Sequence, residues 1–260
     1  MLKSQGDITE TGLDAVALKP TECCLEDAVD LPIDRVTIDY EGGDNLPTRE
    51  TLDRLAKSLD VRVTTPVRAG GFDPLGDDQA FDRLPKSVGV IAVAGHPAYL
   101  DENERKRAIG PRLGPVIDRY PDAWVGTEGI ERLALATGTT QFELLSRRTE
   151  RAVGSLRSAG FDGSIAVYAP TVPTNDADRI LDAVGEYVAR RGPIRRALPE
   201  DAEIDSDATG QARSVLLDGA DDYALVGELA VIRDRVSALK SAGVDTVVGY
   251  PAAGLESFLQ

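Results

Sequence analysis

The sequence predicts an α/β protein, a TIM (β/α)8 barrel, and three observations lead there. Short apolar runs alternate with stretches of helical periodicity along most of the chain, which is the pattern of successive βαβ units around a parallel sheet. The last forty residues show the unit most clearly: Leu229, Ile232, Val236 and Leu239 share one helical face, Gly243 follows the last turn, and Thr246-Val-Val-Gly-Tyr250 reads as a strand buried on both sides. The length, 260 residues, is close to the ~250 typical of an eight-fold barrel.

Strands are expected at Ala15–Leu18, Arg35–Asp39, Val61–Thr65, Val88–Ala94, Ala123–Gly126, Ser164–Tyr168 and Thr246–Gly249, each a short apolar or β-branched run. Ala224–Val226 is a candidate short eighth, so the barrel is expected to be shortened or irregular. Helical spacing covers Thr48–Leu59, Glu102–Arg119 with an interruption at Gly110-Pro111, Ile130–Ala136, Phe142–Ala159, Ala177–Arg190 and Gln211–Asp218. Thr48 caps the first of these, and glycines stop later ones at Gly160, Gly192 and Gly243. Four strand ends meet proline, at Pro66, Pro97, Pro170 and Pro251, which lacks the N–H needed to extend a ladder. Residues 1–260 read as one domain, with 1–12 a candidate disordered start and 193–210, rich in arginine and then in acids, a solvated surface excursion.

The formal net charge of −15 argues against nucleic acid or an anionic membrane as partner, because phosphates require clustered Lys and Arg. Only 6 of the 29 basic residues are lysine, and aspartate outnumbers glutamate 28 to 16. That bias resembles proteins of salt-loving archaea, whose carboxylate surfaces stay hydrated in concentrated salt, so the charge reports the solvent rather than a substrate channel. No run of eighteen apolar residues and no secretory leader is present, and the adjacent Cys23 and Cys24 fit neither a mutual disulfide nor a zinc site. A cytoplasmic protein with no metal is expected.

Reactive groups of such a barrel stand at the C-terminal ends of its strands. Those positions hold Lys19, Glu22, Asp39, Glu41, Thr64, Thr65, Arg68, His96, Thr127, Tyr168, Thr171 and Tyr250. His96 is the only histidine and is a candidate general acid, or else a turn residue before Pro97. Asp39, Glu41 and Asp44 around Gly42-Gly43 form either a proton-transfer cluster or, more simply in so acidic a chain, a solvated loop. Arg68 is a candidate for a cofactor or substrate anion, or the partner of a neighbouring carboxylate. Serine-hydrolase elbows, Walker loops and Rossmann glycine fingerprints are absent.

Ala123-Trp-Val-Gly-Thr-Glu-Gly-Ile-Glu-Arg-Leu-Ala134 is a strand, a glycine-flanked turn and a helix start, which is either a plain tight turn or a cradle where backbone amides meet an anion. It is followed by Leu156-Arg-Ser-Ala-Gly-Phe161, the strand Ile165-Ala-Val-Tyr-Ala-Pro170-Thr-Val-Pro173, an Asp-rich helix start at Asn175–Asp178, and Ala-Gly-Val-Asp245. From Ala123 to Pro251 this succession resembles the bacterial luciferase-like superfamily of flavin- and deazaflavin-dependent oxidoreductases, including methylenetetrahydromethanopterin reductases, here as a shortened haloarchaeal-type member. The resemblance implies a TIM barrel and a deazaflavin (coenzyme F420) or FMN with its phosphate at Gly126, Thr127 and Gly129; the strand-end candidates Arg68 and His96 are then expected as a further cofactor contact and as a group beside the reacting ring. It also implies hydride transfer to or from a small organic substrate, and a homodimer. The alternative is a degenerate, non-catalytic barrel that binds or regulates, suggested by a first half shorter than family enzymes usually carry and by the carboxylate of Glu128 beside the proposed anion site.

Overall fold

The structure is a computed structural model that describes residues 8–68, 78–94, 100–126 and 137–259. Among these residues one all-parallel sheet holds β1 (Ala15–Leu18), β2 (Arg35–Ile38), β3 (Asp60–Val67), β4 (Gly89–Ala94), β5 (Trp124–Gly126), β6 (Thr140–Leu144), β7 (Ile165–Val172), β8 (Leu225–Val226) and β9 (Thr246–Pro251). The neighbour order runs β6-β5-β4-β3-β2-β1-β9-β7, and β6 pairs in turn with β7. Eight strands therefore close a complete parallel barrel with helices around it. First and last strands meet through Ala15↔Val248 and Val16↔Gly249.

The eighth strand of the ring is not the one expected. β8 pairs only with the end of β7, through Thr171↔Leu225 and Val172↔Val226, along the edge that β6 leaves at Leu144↔Tyr168. The ring is completed instead by β6, within a segment expected to be helical from Phe142 to Ala159. Phe142, Leu144 and Leu145 satisfy a period of two and a spacing of three at once, and periodicity alone does not separate the two readings for so short a run. The helix begins only at Thr149 and runs to Ser158, after a turn in which Ser146 N–H donates to Thr149 Oγ1 at 2.9 Å.

Two strands run through the prolines expected to stop them. β3 continues past Pro66 and β7 past Pro170. The pairing of β2 with β3 ends at Ile38↔Val63, so Pro66 has lost one neighbour already and its missing N–H costs no ladder bond there. Pro170 lies in the gap between the last β6 pairing, at Tyr168, and the first β8 pairing, at Thr171. His96 and Pro97 fall outside the described residues, as does the expected helix Ile130–Ala136.

Strand residues on the outer face, such as Val16, Leu18, Val36, Ile38, Val61 and Val63, pack into the main core with the surrounding helices. Those on the inner face, Ala15, Ala17, Ile91, Trp124, Phe142, Ala166, Tyr168 and Val248, form a second core inside the barrel. Burial on both faces is why the strands read as continuous apolar runs. The helix Leu229–Ala242 buries Ile232, Val236 and Leu239, and Gly243 ends it in the left-handed conformation at φ 113°, as its sequence predicts. Thr48 caps Arg49–Leu55 by accepting from Thr51 N–H at 3.2 Å.

Within the expected excursion 193–210, Gly192–Ala197 is helical, and the irregular stretch that follows turns Leu198, Ala202, Ile204 and Ala208 inward while Glu200, Asp201, Glu203 and Asp207 stay exposed. The helices Ala177–Ala189, Gly192–Ala197 and Gly210–Tyr223 share a satellite core built on Leu181, Val188, Ile194, Leu216 and Tyr223. The intervening chain lies directly on the first helix: a Cβ on Gly185 would stand 1.9 Å from the Ile204 carbonyl oxygen. Backbone must move to admit one methyl group there. Gly185→Ala is therefore expected to destabilise the protein by about 1–3 kcal/mol through overpacking, against the helix propensity that favours alanine. Chemical denaturation tests this, and unchanged or raised stability contradicts the packing described.

Candidate functional site

Because side chains alternate along a strand, the inward positions at the base of each strand fix which residue emerges inward at its C-terminal end. Ala15 and Ala17 of β1 point Lys19 into the mouth, Thr37 of β2 points Asp39, Ala166 precedes Tyr168 in β7, and Val248 precedes Tyr250 in β9. Four of the strand-end candidates thus converge. Lys19 Nζ donates to Tyr250 Oη at 2.8 Å and Glu22 Oε1 at 2.9 Å, and lies 4.1 Å from the centre of the Tyr250 ring. The Tyr250 hydroxyl donates to Glu22 as well. Beside this triad, Tyr168 Oη donates to Asp39 Oδ2 at 2.9 Å.

Beneath these groups the barrel axis is aromatic. Tyr250 stacks on Tyr168, with centroids 6.1 Å apart and planes 15° from parallel. Phe142 meets Tyr168 edge-on at 6.1 Å, and Trp124 lies 5.9 Å from Phe142. Phe142, expected in a helix, is a floor residue of the mouth; its alternation with Leu144 is the signal that finds it. At the opposite end Arg62 lies across Gly89, where a Cβ would come within 2.9 Å of the guanidinium chain, and covers the Trp124 ring at 4.7 Å. Its Nη1 donates to Asp122 O at 3.1 Å. The base of the barrel is stoppered, and the rim is the open end.

The polar pairs differ in how they titrate. Burial drives the Asp39 carboxyl up to about 6. The hydrogen bond from Tyr168 and the positive charge of Lys19 oppose that rise, and the carboxylates of Glu41 and Glu22 add to it. Tyr168, desolvated and facing Asp39, is held well above its ordinary value and stays protonated. Burial, followed by the bond to Glu22, lifts Tyr250 to about 12. Burial works against the charge on Lys19, yet its bonds to Glu22 and Tyr250 outweigh that and keep the amine above its usual range. A carboxyl poised near neutrality beside a permanent hydroxyl donor is a proton-transfer pair in waiting.

The other candidates have separate surroundings. Asp39, Glu41 and Asp44 do not form one cluster: Glu41 is near enough to Asp39 to raise its carboxyl, but its Oε2 accepts from Thr21 N–H at 2.9 Å and Thr21 Oγ1 at 2.7 Å, which clips the first two strand-end loops together, and Asp44 is exposed. Among the described residues no group of three or more His, Cys, Asp or Glu could hold a metal ion. Thr64 accepts from Tyr40 N–H at 2.6 Å. Arg68 follows β3 and binds Glu104 with two nitrogens, at 2.7 and 2.5 Å, and Glu104 is fully buried. Of the two roles open to Arg68, the structure shows the carboxylate partner. Gly126 ends β5 facing inward, where a Cβ would touch Phe142 Cδ1 and Val93 Cγ2, both at 3.4 Å. Its want of a side chain makes room for the floor. Thr127, Gly129 and His96 lie outside the described residues.

A closed parallel barrel is the architecture of many enzymes, and this fold is shared with several solved proteins. The structure is similar to the coenzyme F420 dependent tetrahydromethanopterin reductase from Methanopyrus kandleri, at 15% identity and TM-score 0.64 over 95% of this chain and 96% of that one. It is also similar to an F420-dependent secondary alcohol dehydrogenase in complex with an F420-acetone adduct, at 12% identity and TM-score 0.58 over 92% and 93%. A third is monooxygenase RslO1 from Streptomyces bottropensis, at 13% identity and TM-score 0.53 over 95% and 98%. At these identities the likeness is one of fold. No curated protein matches the sequence. The chain belongs to a family of unknown function, DUF7388, whose profile matches residues 8–258.

The Asp39–Tyr168 pair yields a titration test. Carboxyl 13C NMR is expected to show Asp39 titrating near pH 6, and Tyr168→Phe, which removes a bond that favours the carboxylate, should move that midpoint upward. The folded value lies above the ordinary 3.8, so Asp39 contributes stability below 3.8 that is lost as pH rises through about 6. Asp39→Asn, which does not titrate, should therefore gain stability relative to wild type between pH 4 and pH 7. A stability difference that stays flat across that window contradicts the assignment.

Proposed function

We propose that this protein is a luciferase-like oxidoreductase that binds a deazaflavin, coenzyme F420, or FMN at the barrel mouth and moves a hydride to or from a small organic substrate. The observation that carries the reading is the rim itself: the stacked Tyr168 and Tyr250 rings, flanked by Lys19 on one side and Asp39 on the other, above an aromatic floor. A planar conjugated ring needs a flat aromatic surface and a few directional polar groups. The residues present fit that requirement. When bound, the cofactor supplies the hydride chemistry.

The chain's own contribution is positioning and proton handling. Tyr168 fixes Asp39 through Oδ2, and no bond within the described residues engages Oδ1, so that oxygen can hold or release a proton near neutrality. Lys19 offers a permanent positive charge where negative charge would develop on a bound ring or carbonyl. Arg62 and Trp124 close the base against water from below. In this proposal Gly126, Thr127 and Gly129 receive the cofactor phosphate and His96 stands beside the reacting ring as general acid. Arg68, which ties Glu104 to the end of β3, is in this proposal a further cofactor contact. The acidic surface suits a salt-rich cytoplasm, and a homodimer completes the proposal.

One observation favours the second reading, a barrel that binds or regulates without catalysis. Glu22, Glu41 and Asp39 crowd the rim around Lys19, and Glu104 neutralises Arg68, so little net positive charge greets an anionic cofactor. Titration with F420 and with FMN, followed by absorbance and fluorescence, separates the two. Saturable binding that Gly129→Phe weakens by about tenfold or more, with the circular dichroism of the variant unchanged, supports the oxidoreductase. Folded protein that binds neither cofactor overturns it.

A further inference from the structure

A concavity lies at the C-terminal end of β6, on the same side of the barrel as the mouth. It has a volume of about 530 Å³ and is walled by the turn after β6, the start of the helix Thr149–Ser158, the start of the helix Gly192–Ala197 and the ring of Tyr223. Four of its lining residues are arginines: Arg147, Arg148, Arg191 and Arg196. Among the described residues Glu143 is the one carboxylate on the wall.

This charge runs against the rest of the molecule. The chain carries 44 acidic residues to 29 basic ones, and elsewhere its arginines find carboxylates readily, as in Arg35–Asp60, Arg54–Glu26, Arg119–Asp82, Arg157–Asp245 and Arg213–Asp178. Among the described residues Arg147, Arg148 and Arg196 form no ion pair, although acids lie close enough for Glu150, Asp221 and Asp222 to share the small neighbouring hollow with Arg147. Arg191 is held in place by aromatic faces, 4.2 Å from the Tyr187 ring centre and 5.7 Å from that of Tyr223. The surplus of guanidinium charge along one cavity attracts an oxyanion, which matches the planar fork of each guanidinium. Leu144, Leu145, Ala152 and Pro193 supply an apolar wall, so the cavity has the mixed lining and the size of a small-molecule site.

We infer that this pocket binds a small organic oxyanion carrying at least two negative charges, a phosphate ester or a polycarboxylate. The inference does not rest on the proposed cofactor, whose phosphate is placed at Gly126, Thr127 and Gly129, because the described lining of the cavity includes none of those residues.

Calorimetric titration with pyrophosphate and, separately, with citrate tests it at constant ionic strength, with potassium chloride as the matched control. Wild type is expected to bind at least one of the two saturably, with a dissociation constant of about 1 mM or tighter. The double variant Arg148→Gln with Arg196→Gln should weaken that binding by about tenfold or more. Arg195→Gln, on the same helix but outside the lining, should leave it unchanged. Preference for pyrophosphate or for citrate tells which oxyanion the pocket is shaped for. Absence of saturable binding by both probes, or equal binding by wild type and the double variant with both folded by circular dichroism, overturns the inference.

Discussion

The period-two alternation of strands locked in a closed parallel ring places every group at the barrel mouth. A strand alone leaves its side chains free to slip by one residue, which turns each of them to the other face. Here each ring strand is held on both edges, and the helices demand an apolar outer face, so the register admits no slip. Asp39 points inward because Val36 and Ile38 must point outward. The same reasoning sends Lys19, Tyr168 and Tyr250 to the axis, although 231 residues separate the first from the last. No local feature of their own sequence positions does so.

Burial then sets the chemistry. A carboxylate at the lip of an aromatic shaft loses water on the side where Tyr168 stands, and one hydrogen bond does not replace what solvent gave. Its charge becomes costly and its titration moves toward neutrality. Lys19 meets the same desolvation with a different outcome, because Glu22 and Tyr250 both take hydrogen bonds from it. Two groups of opposite sign, in one environment, are thereby tuned by their partners rather than by depth. The two ends of the shaft are unlike as well: Arg62 seals one with its alkyl stem and a cation–π contact, and polar residues gather at the other.

Much of this was legible in the residues, and the failures share a cause. The barrel, seven ring strands, the cap at Thr48 and the left-handed Gly243 follow from local pattern. The strand at Phe142 was hidden because its apolar residues fit two periods at once. Pro66 and Pro170 were read as strand ends, since the consequence of a missing N–H depends on whether a neighbour is still present, which only the sheet reveals. Asp39 looks like one acid among 44, and alternation gives it and Glu41 the same face, so nothing in the sequence separates the two. Arg68 stood open between two roles, and Glu104, 36 residues on, fills one of them. Arg147 and Arg148 fall in a segment expected to be helical and Arg196 in one expected to be solvated, and their proximity across the intervening chain leaves no trace in composition.

The pairing of β1 with β9 has a consequence for how the molecule is made. The ring is seamed by its first strand and its last, so a chain emerging from the ribosome carries β1 and β7 as bare parallel edges until the residues near Val248 follow. Local helices can form early, whereas the inner core has no lid on its flank until then. Synthesis and closure are thus separated in time, and the interval is one in which unpaired edges invite association with other chains.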